Sequence, residues 1–202
     1  MGQSWGAWAA LVGASLLAGC VSLPEGKELP ERYVLRPAPV DGESHASSAR
    51  VRVAEPRVAS GLDSDRIAVL RANRRLDHYA GARWAARLPK LVGDFLSESL
   101  ERRYGAMALG SESARFRLVT AVRDFQAEYP VGSEEAPPRV RVRLTAELRD
   151  RVRSEVVMRQ RIALTTRAEF NRLAPVVTAL EGQMRAAADR ILSRVDRHLT
   201  PK

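Results

Sequence analysis

Cys20 is the only cysteine of the chain, and His45, His78 and His198 are its only histidines. These are the side chains that most readily act as nucleophiles or metal ligands. A lone cysteine forms no internal disulfide, so it is a buried apolar group, a reactive thiol or a site of modification. The histidines are far apart and none pairs at metal-ligand spacing. Gly110-Ser111-Glu112-Ser113 lacks the Gly-x-Ser-x-Gly pattern of a nucleophile elbow. Asp63 and Asp65 open like a calcium loop, but the glycine and glutamate that such a loop needs further on are missing. No glycine-rich phosphate loop occurs. The residue types therefore point away from catalysis and from a metal or cofactor.

The surroundings of Cys20 give it a role. Residues 5–18, WGAWAALVGASLLA, are uncharged and mostly apolar. The run is shorter than the roughly 20 residues a membrane-spanning helix needs, and it fits the apolar region of a secretory signal. It ends in Leu16-Leu17-Ala18-Gly19-Cys20, which resembles a bacterial lipobox. That reading makes 1–19 a cleaved signal peptide and Cys20 the lipid attachment site. Residues 1–20 carry no Lys or Arg, which departs from the usual signal start. Two or three acyl chains on one residue make a durable anchor, whereas one holds only marginally. Val21 and Ser22 follow the cysteine where an Asp would favour the inner membrane, so the outer membrane is expected.

The formal charge is +9, and of 33 basic residues only Lys27, Lys90 and Lys202 are lysines. An arginine-rich chain invites a nucleic-acid reading, which the secretory signal opposes. Anionic lipid or an acidic partner is the expected counterpart.

The elements follow from periodicity. Residues 20–32, with two prolines and a glycine, read as the lipidated cysteine and a flexible tether. Short strands are expected at 33–35, 50–54 and 66–71, with a turn at 60–65. Apolar residues at three-to-four spacing predict a helix over 88–103. Three antiparallel strands follow, at 116–128, 139–149 and 155–166. In the middle one, Val140, Val142, Leu144, Ala146 and Leu148 share a face opposite Arg139, Arg141, Arg143, Glu147 and Arg149. A long helix over 174–199 closes the chain. The expected fold is α+β: a two-layer sandwich of a mostly antiparallel sheet with two amphipathic helices on one face, forming a single domain over 33–199. Segment 74–87, RRLDHYAGARWAAR, is neither a clean helix nor a clean strand. It mixes Tyr79 and Trp84 with Arg74, Arg75, Arg83 and Arg87, a combination found in interface anchors. Core packing of Trp84 beneath a loop, with the arginines in water, is the competing reading, and a buried Trp84 with the arginines at a contact is a third.

In this order, with Gly61-Leu62-x-x-x-Arg66-Ile67 and Tyr79-x-x-x-Arg83-Trp84-Ala85, the chain resembles the ABC-type transport auxiliary lipoprotein family, which includes the lipoprotein of the paraquat-inducible system. The resemblance implies a non-enzymatic outer-membrane subunit that needs no cofactor. It implies partners: a periplasmic protein with mammalian-cell-entry (MCE) domains, and the permease and ATPase of the same system, moving lipid between two membranes. A homo-oligomeric ring is one arrangement it implies. Arg66, Tyr79, Arg83, Trp84 and Arg87 are the candidate partner-binding residues. Reversing Arg83 and Arg87 to Glu is expected to weaken docking without unfolding the domain. The alternatives are an envelope lipoprotein that assists outer-membrane protein assembly or attaches to cell wall, and a domain that itself carries lipid.

Overall fold

A computed structural model describes residues 29–39, 50–105, 114–132 and 134–199. Cys20, His45, most of the tether and residues 110–113 lie outside the described residues. The elements in order are β1 (Glu31–Tyr33), β2 (Val51–Val53), β3 (Arg57–Val58), a 3-10 turn (Ser60–Leu62), β4 (Arg66–Leu70), β5 (Leu76–Trp84), α1 (Leu88–Tyr104), β6 (Phe116–Glu128), β7 (Arg139–Asp150), β8 (Glu155–Arg167) and α2 (Leu173–Leu199).

The eight strands form one mixed sheet in the order β1-β5-β4-β6-β7-β8, with β2 and β3 also on β6. The long pairings, β6–β7 and β7–β8, are antiparallel, as is β4–β5. The short ones are parallel. β2, β3 and β4 lie end to end along one edge of β6, facing Phe116–Leu118, Ala121–Val122 and Ala127–Glu128 in turn. β1 runs parallel to the end of β5.

The alternation in β7 does what a period of two requires. Val140, Val142, Leu144, Ala146 and Leu148 are all buried, and they meet the helices. The stripe of α2 faces them: Leu180, Met184, Ala188, Ile191 and Val195 are buried. In α1, Leu88, Leu91, Val92, Phe95, Leu96 and Leu100 are buried on one side. Pro89 fits its first turn, where no N–H partner is lost. Gly105, at φ 82°, ends it and donates its N–H to the Glu101 carbonyl at 2.7 Å. Each large apolar side chain so buried stabilises by about 1.5–3 kcal/mol. One continuous core results, with both helices on one sheet face.

Three expectations shift. The first strand lies at 31–33 rather than 33–35, so it takes two residues read as tether. Its pairing is a backbone match to Ala82–Trp84, which no side-chain pattern announces. β3, only two residues long, went unread. Within segment 74–87, Leu76–Trp84 is a strand, β5, whose period a bulge interrupts.

Candidate docking surface

β4 and β5 pair with Arg66 opposite Arg83 and Ala68 opposite His78. One residue of β4, Ile67, therefore faces four of β5, Tyr79 to Ala82. Gly81 sits in this bulge at φ 69°, and an added Cβ would meet nothing within 4 Å. The glycine is there for its backbone, since a left-handed conformation costs other residues about 1–2 kcal/mol. After the bulge the side chains resume their alternation, and the two halves of the segment point to different places.

Trp84 points inward. It is 1% exposed, and its ring centroid lies 5.8 Å from that of Phe125. Its backbone N–H donates to the Asp65 carbonyl at 2.7 Å. It presents no surface to a partner, so its place among the contact residues is corrected: the bulge turns it into the core. Tyr79 is half-buried, with its hydroxyl 3.4 Å from that of Tyr129. Tyr129 donates to Asn171 Oδ1, and the Arg71 guanidinium stacks 5.6 Å from the Tyr129 centroid. Burial, then the Tyr129 hydrogen bond, pushes the Tyr79 phenol far above its ordinary range. Tyr79 thus belongs to a node that fastens the loop after β6, where Asn171 Nδ2 donates to the Glu134 carbonyl at 2.9 Å.

Three arginines of the predicted set remain together at the surface. Arg83 Nη1 donates to Asp65 Oδ1 at 2.8 Å, and Arg87 Nη2 pairs with Asp63 Oδ1 at 2.8 Å. Arg66 is exposed and has no acidic partner among the described residues. Nearby His78 is held below the usual imidazole range, first by burial and then by the Arg66 charge. The turn at 60–65 supplies both carboxylates. Its Gly61 is pressed by Leu76, whose Cδ2 would stand 2.7 Å from an added Cβ.

Beside Arg87 an open groove runs between β3 and the start of α1, lined by Glu55, Pro56, Arg57, Asp63, Pro89 and Lys90 among others. Sequence reading missed Arg57 and Lys90. They come from two elements distant in sequence that pack against each other, with Pro56 so near Gly93 that an added Cβ would stand 3.1 Å from its Cδ.

A second basic surface is the sheet face away from the helices. Arg139, Arg141, Arg143 and Arg149 alternate along β7 with the buried residues. Their acids are few: Glu128 pairs with Arg141, Asp124 with Arg143, and Glu147 with both Arg149 and Arg159. The two guanidiniums, Arg149 foremost, hold the Glu147 carboxyl below its usual range.

Among the described residues no three His, Cys, Asp or Glu side chains gather as metal ligands. No described helix is long and apolar enough to cross a membrane.

A family model described as the ABC-type transport auxiliary lipoprotein component matches residues 33–192. Two solved structures share the fold. One is a Xanthomonas campestris protein of the DUF330 family, 22% identical, covering 80% of this chain and 92% of that one with a TM-score of 0.69. The other is an uncharacterized protein, 13% identical, covering 83% and 99% with a TM-score of 0.66. No curated protein matches the chain.

Proposed function

Because this chain belongs to the ABC-type transport auxiliary lipoprotein component family, we propose that it is a non-enzymatic outer-membrane subunit of an MCE-type lipid transport system. Acylated Cys20 anchors it, and the domain docks the periplasmic MCE protein whose permease and ATPase sit at the inner membrane.

The observation that carries the docking reading is the line Arg66, Arg83 and Arg87 beside β1. β1 pairs with Ala82–Trp84, so the tether enters the domain next to these arginines. Ten residues lie between Cys20 and Glu31, and the stretch spans at most about 40 Å. An anchored domain is confined to a thin layer, which raises its effective concentration for a partner that crosses the gap. Asp63 and Asp65 hold Arg83 and Arg87 in fixed positions, so less side-chain entropy is lost on docking.

The test is purification of the acylated protein from cross-linked envelopes, with mass spectrometry of what accompanies it. An MCE-domain protein in the wild-type eluate, depleted by Arg66→Ala with Arg87→Ala, supports the reading. Outer-membrane assembly factors or cell-wall fragments in its place favour the alternatives. These substitutions are better probes than reversal of Arg83 and Arg87, which would set Glu against Asp65 and Asp63.

A further inference from the structure

The open face of the sheet holds a depression over β7 and β8, and its rim is made of arginine. Arg123, Arg143 and Arg161 line it, and Thr145 and Ala163 lie between them. Register explains the grouping. Arg143 stands opposite Ala163, and Thr145 opposite Arg161, so the two arginines are diagonal neighbours about 7–8 Å apart at their origins. Small residues at the other two corners leave the space between them open.

Arg123 is there because of an irregularity. The β6–β7 register slips between Val122 and Asp124, which makes Arg123 an extra residue. Bulges re-aim side chains and recur beside functional sites. Here the bulge adds a third guanidinium to a place that already has two.

The local charge is left unbalanced. Asp124 is committed to Arg143, with Oδ2 2.8 Å from Nε and Oδ1 3.2 Å from Nη2. Glu147, further along the strand, is committed to Arg149 and Arg159. Arg123 and Arg161 are exposed and have no acidic partner among the described residues. Guanidiniums fork onto phosphate oxygens in a bidentate way. The depression measures about 470 Å³, within the roughly 300–1,000 Å³ of small-molecule sites, so it admits a headgroup rather than an isolated ion alone.

We propose that this depression seats the phosphate of an anionic phospholipid headgroup, and that the domain thereby lays its open sheet face on the membrane surface. The source is a bilayer rather than an acidic protein for two reasons. The chain belongs to a lipoprotein family, which keeps a bilayer at hand. The face also spans three long strands, with both helices packed on the other side, an expanse that suits a planar array of phosphates. The proposal is separate from MCE docking, which uses the Arg66–Arg87 surface.

The test uses the full chain with Cys20→Ser, so that no acyl chain contributes, floated with vesicles of phosphatidylcholine alone or mixed with phosphatidylglycerol. The apolar residues 5–18 add the same background to both, so the phosphatidylglycerol-dependent excess is the signal. Wild type shows that excess, and Arg123→Ala with Arg161→Ala lowers it about tenfold or more. A control of equal charge, Arg190→Ala with Arg194→Ala on the exposed side of α2, keeps it within about twofold. Circular dichroism confirms that both variants fold. No excess for wild type, or an equal loss in the control, overturns the proposal, since net charge alone would then explain binding. Displacement by inorganic phosphate at matched phosphorus also overturns it, because the site would then be one for the free ion. Unchanged flotation of the Arg123/Arg161 variant, even with loss of an acidic protein partner, does the same.

Discussion

Near the end of α1, the Tyr104 hydroxyl donates to the carboxylate of Asp196, which lies near the end of α2, 92 residues later. Arg103 Nη2 donates to the same carboxylate at 2.6 Å, and the Tyr104 hydroxyl also lies 3.2 Å from the Leu192 carbonyl. One acid therefore joins the two helices at a single corner. Its hydrogen bond is the largest cause holding the Arg103 guanidinium above its ordinary value. Asp196→Asn keeps the shape and removes the charge. Hydrogen bonds to charged groups contribute about 1.5–3 kcal/mol, and the corner is partly solvated, so a loss of about 1–2 kcal/mol is expected. Denaturant melts of both proteins measure it.

Asp150 contributes to the acid limb of stability. Its side chain is almost fully buried and accepts from Arg115 Nη2 at 2.8 Å, and from the N–H groups of Val152 at 2.9 Å and Arg153 at 3.3 Å. The Arg115 hydrogen bond is the main cause that holds its carboxyl below the usual range. A carboxyl depressed on folding stabilises above its unfolded pKa, and that contribution fades as pH falls through the folded value. Thermal melts of wild type should therefore weaken below the ordinary carboxylate range. Asp150→Asn should melt lower at neutral pH and show a shallower acid limb. Identical slopes in the two proteins would count against this role.

Two glycines should respond in opposite directions. Gly81→Ala forces a side chain into a left-handed conformation and is expected to cost about 1–2 kcal/mol. Gly182, in the middle of α2, has open space where a Cβ would go. Gly182→Ala is expected to stabilise by about 0.5–1 kcal/mol, because helical glycine is entropically costly. A pair of urea titrations decides both signs.

Trp84 separates structure from docking. Trp84→Ala should destabilise by about 3–5 kcal/mol, lowering the melting temperature by roughly 10 °C. Arg66→Ala with Arg87→Ala should leave the melting temperature within about 2 °C, since exposed ion pairs contribute little. If the tryptophan variant melts like wild type, the core assignment fails.

Strong periods made most of the fold legible. β7 alternates over its whole length and α2 keeps its stripe for seven turns, so their faces could be read directly. β3 could not be read, because two residues carry no period; β2 falls within the strand expected at 50–54, but its pairing with β6, far along the chain, was not legible. β5 was obscured for a local reason: four residues bulge against Ile67, and Tyr79 and Trp84 fall out of phase. That bulge also split the candidate site. The arginines at 66, 83 and 87 were legible as a basic group, but their fixation by Asp63 and Asp65 was not. Asp63 and Asp65 read as part of a turn at 60–65, and the arginines they pair with stand on β5 and just before α1. The arginine face of β7 was plain in the sequence. The depression in it was not, because Arg123 enters through a register slip that only strand pairing reveals.

β6 is shared by β2, β3 and β4 on one edge and by β7 on the other, and this arrangement sets a clock. A chain that emerges amino-terminus first exposes β2 and β3, whose partner has not yet appeared, and a β4 that has β5 on one edge but nothing on the other. They must wait for residues 116–128. β6, β7 and β8 then pair with their neighbours in the chain, β7 and β8 through the short turn at 151–154, the local kind of contact that forms fast. The carboxy-terminal half is therefore the template, and the amino-terminal half is the late arrival that docks onto it. A copy threaded through a narrow pore cannot complete its sheet until more than half its length has passed, so its topology itself holds back the finished fold.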